Sequence, residues 1–501
     1  MLANALLPPN SWDEQVYHIS LLKTYAANGF WHKITDNPYS AYPSLVHAFL
    51  LCNFDWGGAT LPRLISLLFY VLSGICLFKF LSQRIGKFGA GSVVFALLVS
   101  PLSLLLVRNF YAEPFILLFT IAGISVLSGG NPPGKRECFI AGCVAGAAVS
   151  VKLTGGGSAL AIFVFLLFRQ RNWRHLLSFC GGFMIPAVLF FSRICYFYGN
   201  PFYPFGSKWF GASETAILVE EFHRTLGGHY GLDALSGTLY GWLFNALKPE
   251  LYDGVSGGFQ LPLFFITALA GAYLAGRRDK EQRAVWFGAA ASLLAAYLFW
   301  GMTARQTRFM YPVFFGSALV AILCAERLSP LYKKILAALA LIASVISLMN
   351  SNGLLMHYYF STRMLSGARK MPAGFAAIRE NGYTRLLHRV NALPPDARIA
   401  MLTERRTLYM PRPVTILMPH FQEKLTPVPD SAGELFRELA AFDYIIIRIP
   451  TSDVDRAPEY DDELNKLYMH IHQLLREGKL EVLPDSEMTI LRVVTSAAGN
   501  A

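Results

Sequence analysis

Ten apolar runs organise the first 350 residues, at about 60–83, 88–107, 111–128, 138–152, 155–168, 175–194, 259–276, 284–302, 309–325 and 331–349. Most are close to the roughly 20 residues a helix needs to cross a bilayer core, so the pattern predicts a polytopic α-helical membrane protein of about ten transmembrane helices. The stretch between Arg136 and Arg169 is short for two crossings, and TGGG at 154–157 is expected to break it into a pair of short helices. After Met349 the pattern changes. ARIAML (397–402), PVTILM (413–418), DYIIIRI (443–449), KLEVLP (479–484) and MTILRVV (488–494) read as strands, and 432–441 and 459–477 as helices. Strands alternating with helices predict a small α/β domain. Three parts are expected: a polar first external loop at 1–59, a transmembrane core at 60–350 and an external α/β domain at 351–501. Ten crossings put Met1 outside, and MLANALLPP is too short for a span. A further helix ahead of Leu6–Pro9 is therefore expected.

Composition agrees with this reading. The chain is 54% hydrophobic and only 15% charged, against about 25% charged for soluble domains. The formal charge of +11 forms no single patch. Basic residues cluster in alternate gaps, at 79–87, 135–136, 169–174, 277–283 and 327–334, which the positive-inside bias assigns to the cytoplasm. Nucleic acid is thereby excluded as a partner. The seven cysteines lie in or beside apolar runs with no C-x-x-C spacing, so neither a disulfide framework nor a zinc site is indicated. The tail lacks a G-x-G-x-x-G turn, so nucleotide binding has no support.

Topology places the first loop, residues 195–258 and the tail on the external side. Arg63, Arg108, Lys152, Arg193, Arg305 and Arg308 depart from the inside bias and fall at external span ends. Snorkelling to headgroups is one reading of them; the other is phosphate binding, because guanidinium and ammonium groups hold phosphates through charge-assisted hydrogen bonds. The same side carries Asp13 and Glu14 among Trp12, Tyr17 and His18, and Glu113 at the start of the 111–128 run. Ionisable groups at a membrane domain are functional candidates by default. The acidic pair also suits an amphipathic helix start, and Glu113 before proline suits an ordinary helix start. His223 and His229 lack a helical ligand spacing and read as loop histidines.

In order along the chain, WDEQVYH (12–18), NPYSAYP (37–43), FYAEPF (110–115), SVKLTG (150–155), YGNPFYP (198–204) and RFMYP (308–312) resemble motifs of the GT-C superfamily of polyprenyl-phosphate-sugar-dependent glycosyltransferases. The likeness is to bacterial members near the protein O-mannosyltransferases and aminoarabinose transferases. Glu113 stands where aspartate is common, and Leu153 where an aromatic residue is. The resemblance implies an integral membrane enzyme of the bacterial inner membrane, with its site loops and tail on the periplasmic side. It implies inverting transfer of a sugar from a polyprenyl-phosphate carrier to a protein, lipid or glycan acceptor. Asp13 would be the general base and Glu14 would assist it. Arg308, Lys152 and Arg305 would bind the donor phosphate. Glu113, Tyr17, His18, Asn200 and Tyr203 would bind substrate or support a metal, with a divalent cation as an open cofactor. The competing reading is a transporter or flippase for a lipid-linked saccharide; no paired repeats of the kind many transporters carry stand out in the sequence.

Overall fold

A computed structural model describes the chain apart from residues 1, 7–8, 10, 35–36, 43, 130–131, 204, 212–215, 218–219, 221–233, 253–255, 279–282, 304, 328–329, 351–381, 404–405, 418–424, 426, 448–460, 484–488 and 495–501. It divides into two compact units. One comprises Met1–Asn10, Tyr42–Phe202 and His223–Gly367; the other comprises Ser11–Ala41, Tyr203–Phe222 and Ala368–Ala501.

The first unit is helical, and every predicted apolar run lies in helix. The first run and half of the second form one long helix, Thr60–Leu98, whose geometry breaks at Gly86. The backbone there has φ of 77°, a left-handed value that glycine adopts without a side-chain clash. The second run is interrupted again at Ser100, whose side chain accepts from the Ser103 amide and caps helix Pro101–Arg108. Proline at the first helical position and serine at the cap make that boundary a local preference.

Helices Glu113–Leu127, Lys135–Val151, Gly156–Arg169, Trp173–Tyr198, Gln260–Arg278, Arg283–Thr303, Tyr311–Arg327 and Pro330–Met349 complete the bundle. Among the described residues, four helices are long and apolar enough to cross a membrane: Thr60–Leu98, Trp173–Tyr198, Arg283–Thr303 and Pro330–Met349. The expected break at TGGG is present. Helix Lys135–Val151 ends one residue before Lys152, a 3-10 turn spans Leu153–Gly155, and the chain then continues into Gly156–Arg169.

Helices Lys135–Val151 and Trp173–Tyr198 meet backbone to backbone. A Cβ at Gly142 would strike the Phe179 carbonyl oxygen, and one at Gly182 the Phe139 carbonyl oxygen. Small residues at such crossings supply the close packing that replaces the hydrophobic effect inside a bilayer.

The second unit contains a five-stranded sheet of order β2-β1-β3-β5-β4, with β1 Ile399–Met401, β2 Thr415–Ile416, β3 Tyr444–Ile447, β4 Leu480–Val482 and β5 Thr489–Val493. β1 runs parallel to β2 and β3; β5 is antiparallel to β3 and β4. Register pairs Ala400 with Ile445 and Ile445 with Leu491. Alternate strand residues point to opposite faces, so each face has its own core. Ala400, Ile445 and Leu491 pack with Leu435, Leu467 and Ile471, from helices Ala432–Leu439 and Asp461–Arg476. Met401, Ile446 and Ile490 pack with Leu386 and Val390 of helix Gly382–Ala392. Every strand and helix expected in the tail is present among the described residues.

Residues 11–41 belong to this second unit, and their reading as a polar loop requires correction. Residues 12–28 are continuous helix, with a π-helical turn at Glu14–His18 followed by Ile19–Asn28. Ile19, Leu22 and Tyr25 recur at helical spacing and are buried, which explains why this segment is helical despite its polar start.

Candidate active site

The acidic segment of the second unit is built around a capping box. The Ser11 hydroxyl accepts from the Glu14 amide at 3.3 Å, while Glu14 Oε2 accepts from the Ser11 amide at 3.1 Å and from its hydroxyl at 2.9 Å. This reciprocal pattern satisfies donors at the helix start. It gives the fully buried Glu14 a structural task that Asp13 does not share.

The π-helical turn follows at once, a feature found frequently at functional sites. It carries Tyr17 and His18, whose rings lie 4.3 Å apart between centroids. Tyr39 lies tilted against Tyr17, also at 4.3 Å, and Trp12 approaches Tyr17 edge-on at 6.4 Å. Asn37 holds the 37–41 turn against the helix by donating to the Val16 carbonyl at 2.8 Å. Asp13, Tyr17 and His18 are thus gathered on one turn, and Asp13 is 8% exposed.

The first unit gathers a separate set. Glu113 opens helix Glu113–Leu127 and is 1% exposed; its Oε1 accepts from Lys152 Nζ at 3.0 Å. Lys152 lies in the short non-helical link between two helices, so the TGGG break is what places its ammonium. That ammonium also lies 4.3 Å from the Phe309 ring centroid, and the Arg308 guanidinium lies 5.1 Å from the same ring and 5.4 Å from that of Tyr111. Two of the three cations expected at a donor phosphate therefore share one aromatic ring, at cation–π distance. Arg308 Nε also donates to Gln306 Oε1 at 3.0 Å.

Phe309 borders a small crevice lined also by Thr154, Ser158, Ala296, Phe299 and Thr303. Neither Phe309 nor Tyr111 stands out in the sequence as a site residue, because an aromatic in an apolar run is ordinarily core.

Other predicted residues lie elsewhere. Arg305 packs against Gly237, where a Cβ would collide with its Nη1. The same strand of chain is held by the Tyr252 hydroxyl, which donates to the Gly237 carbonyl at 3.0 Å. Burial pushes the Tyr252 phenol up to about 12, against the opposing pull of Arg305, so this donor stays protonated. Asn200 is a turn residue. Its Oδ1 accepts from the Phe202 amide at 2.9 Å, just after Gly199 ends helix Trp173–Tyr198 in a left-handed cap. Tyr203 lies in the following turn and is half-buried. His223 and His229 lie outside the described residues. Arg63 and Arg193 are buried within protein, and Arg63 Nη2 donates to the Arg108 carbonyl. For these two, the snorkelling reading is replaced by an internal role.

The profile of DUF8201, a domain of unknown function, matches residues 1–315. The chain belongs to the DUF8201 family. No curated protein matches it in sequence. Among solved structures it is similar to ArnT from Cupriavidus metallidurans bound to undecaprenyl phosphate, at 15% identity and a TM-score of 0.59, covering 100% of this chain and 97% of that one. It is also similar to the apo state of ArnT from the same organism, at 14% identity and a TM-score of 0.60, covering 100% and 96%. This DUF8201 chain has a GT-C-like fold and is a polytopic helical membrane protein with a small C-terminal α/β portion.

Proposed function

We propose that this DUF8201 protein is an inverting glycosyltransferase that moves a sugar from a polyprenyl-phosphate carrier to an acceptor, at the external face of the bacterial inner membrane. The observation that carries the reading is the convergence of Lys152 and Arg308 on Phe309. A phosphate on an isoprenoid tail needs cations for its head, and the ammonium and guanidinium brought together here suit it. The bound undecaprenyl phosphate of the similar ArnT structure supports this ligand class.

In the proposed reaction an acceptor hydroxyl attacks the anomeric carbon while Asp13 takes its proton. A carboxylate in hydrogen-bond reach makes a poor nucleophile competent. The bond from the anomeric carbon to the phosphate oxygen breaks, and its electron pair leaves with the polyprenyl phosphate. Lys152 and Arg308 stabilise the charge that develops there, the role in which preorganised cations contribute most. Among the described residues no three His, Cys, Asp or Glu side chains cluster, and Glu113 Oε1 is already on Lys152. No step is routed through a divalent cation.

The test is transfer in membranes from labelled polyprenyl-phosphate sugars. Asp13→Asn is expected to lower turnover by about 10²–10⁴-fold, the usual contribution of a general base, at unchanged protein level. Near-normal transfer by that variant removes Asp13 as the base.

A further inference from the structure

The connection between helices Pro101–Arg108 and Glu113–Leu127 carries two buried side-chain atoms without a hydrogen-bond partner. One is Asn109 Oδ1, on a residue 5% exposed; the other is Glu113 Oε2, on a residue 1% exposed. Buried polar atoms are nearly always partnered, and each exception calls for an explanation. A carboxylate oxygen with no donor is the costlier of the two, because burying charge without hydrogen bonds is heavily penalised. The other oxygen of the same carboxylate is on Lys152 at 3.0 Å.

We propose that these two atoms read hydroxyl groups of the donor sugar, and that the site takes a neutral sugar in preference to an amino sugar. The inference rests on the glycosyltransferase reading above, since it takes the ligand to be a glycosylated carrier. Three features of the chemistry support it. A hydroxyl gives Glu113 Oε2 the donor it lacks. A hydroxyl is both donor and acceptor, so it satisfies Asn109 whichever end of the amide faces inward. An ammonium satisfies only an oxygen, and at Glu113 it would be brought up against the like charge of Lys152 on the same carboxylate. Tyr111, in the same connection, is already in contact with Arg308, which places these sugar readers beside a proposed phosphate cation.

The experiment measures the affinity of the purified full chain in nanodiscs for bare undecaprenyl phosphate. It compares that value with carriers bearing arabinose, mannose, glucose or 4-amino-4-deoxyarabinose. At least one neutral sugar is expected to tighten binding tenfold or more over the bare carrier, and the amino sugar to tighten it less. Glu113→Gln and, separately, Asn109→Ala are expected to remove most of that gain, and Asn109→Ala to leave the affinity for bare carrier within about threefold. That bare-carrier affinity also reports that each variant is folded. Equal affinity for bare and glycosylated carriers overturns the proposal, as does an amino sugar that binds best. A sugar-dependent gain that survives both variants overturns it too, as does an equal loss for every carrier, bare included, since that would mean the residues act only through Lys152. Failure of the wild-type chain to bind undecaprenyl phosphate at all is a different result, and sinks the glycosyltransferase reading itself.

Discussion

At the scale of single residues, burial separates groups that look alike in the sequence. Asp13 and Glu14 are adjacent carboxylates, yet Glu14 Oε2 closes a capping box with Ser11. The S-x-x-E spacing of SWDE is a capping-box signature, although the acidic pair alone reads only as a helix start. Lys152, Glu113 and Arg308 stand out in the sequence as charges at the ends of apolar runs, and the structure joins Lys152 to Glu113 and sets both cations on Phe309. The ring itself was not legible, because nothing in a sequence distinguishes an aromatic that carries cations from one that fills a core. Arg305 has a different neighbour. It stands three residues before Arg308, but the intervening chain precedes a 3-10 turn at Thr307–Met310, and Arg305 packs on Gly237 instead. Arg308→Ala is expected to raise the donor KM at least tenfold with a smaller change in kcat, and Arg308→Lys to restore only part, because the planar guanidinium spans both rings and a lysine head is a point charge. Initial rates against donor concentration check this; an unchanged KM removes Arg308 from the phosphate.

At the scale of elements, periodicity located helices and strands well and their ends less well. The tail strands were legible because alternation puts Ala400 and Ile445 on one face and Met401 and Ile446 on the other. The helix over 12–28 is legible only as an alternative, a helix start at the acidic pair, because its polar first turn hides the buried face of Ile19, Leu22 and Tyr25. The chain break at TGGG is legible in the sequence, whereas the one at Ser100–Pro101 falls inside a run read as continuous over 88–107. The crossing of helices Lys135–Val151 and Trp173–Tyr198 was not legible, since glycine in an apolar run does not declare its partner. Gly142→Leu is expected to abolish assembly of the bundle, because its side chain would have to occupy the space of the Phe179 carbonyl. Gly91→Ala, where a Cβ meets nothing within 4 Å, is expected to be silent. Size-exclusion profiles in detergent distinguish the two; a monodisperse Gly142→Leu protein contradicts this packing.

At the scale of the whole molecule, hydropathy and charge patterning were enough to read a polytopic membrane protein with an α/β tail, and the GT-C-like fold agrees with that reading. The stability of the second unit carries a pH signature. Arg398 donates to both Asp443 oxygens, and those hydrogen bonds hold the Asp443 carboxyl below its ordinary range. A depressed carboxyl stabilises the fold above its unfolded pKa of about 3.9, and that contribution is lost as pH falls through the lower folded value. The pair is largely exposed, so the effect is small. Asp443→Asn is expected to flatten the loss of thermal stability below pH 4, followed by circular dichroism; an unchanged slope contradicts the pairing. The central claim is that this molecule transfers sugar from a lipid carrier. Its most direct test is a proteoliposome assay with doubly labelled carrier, tracking sugar and polyprenyl phosphate separately. The account predicts equal amounts of glycosylated acceptor and released polyprenyl phosphate, both lost in Asp13→Asn; intact carrier crossing the bilayer without release would contradict it.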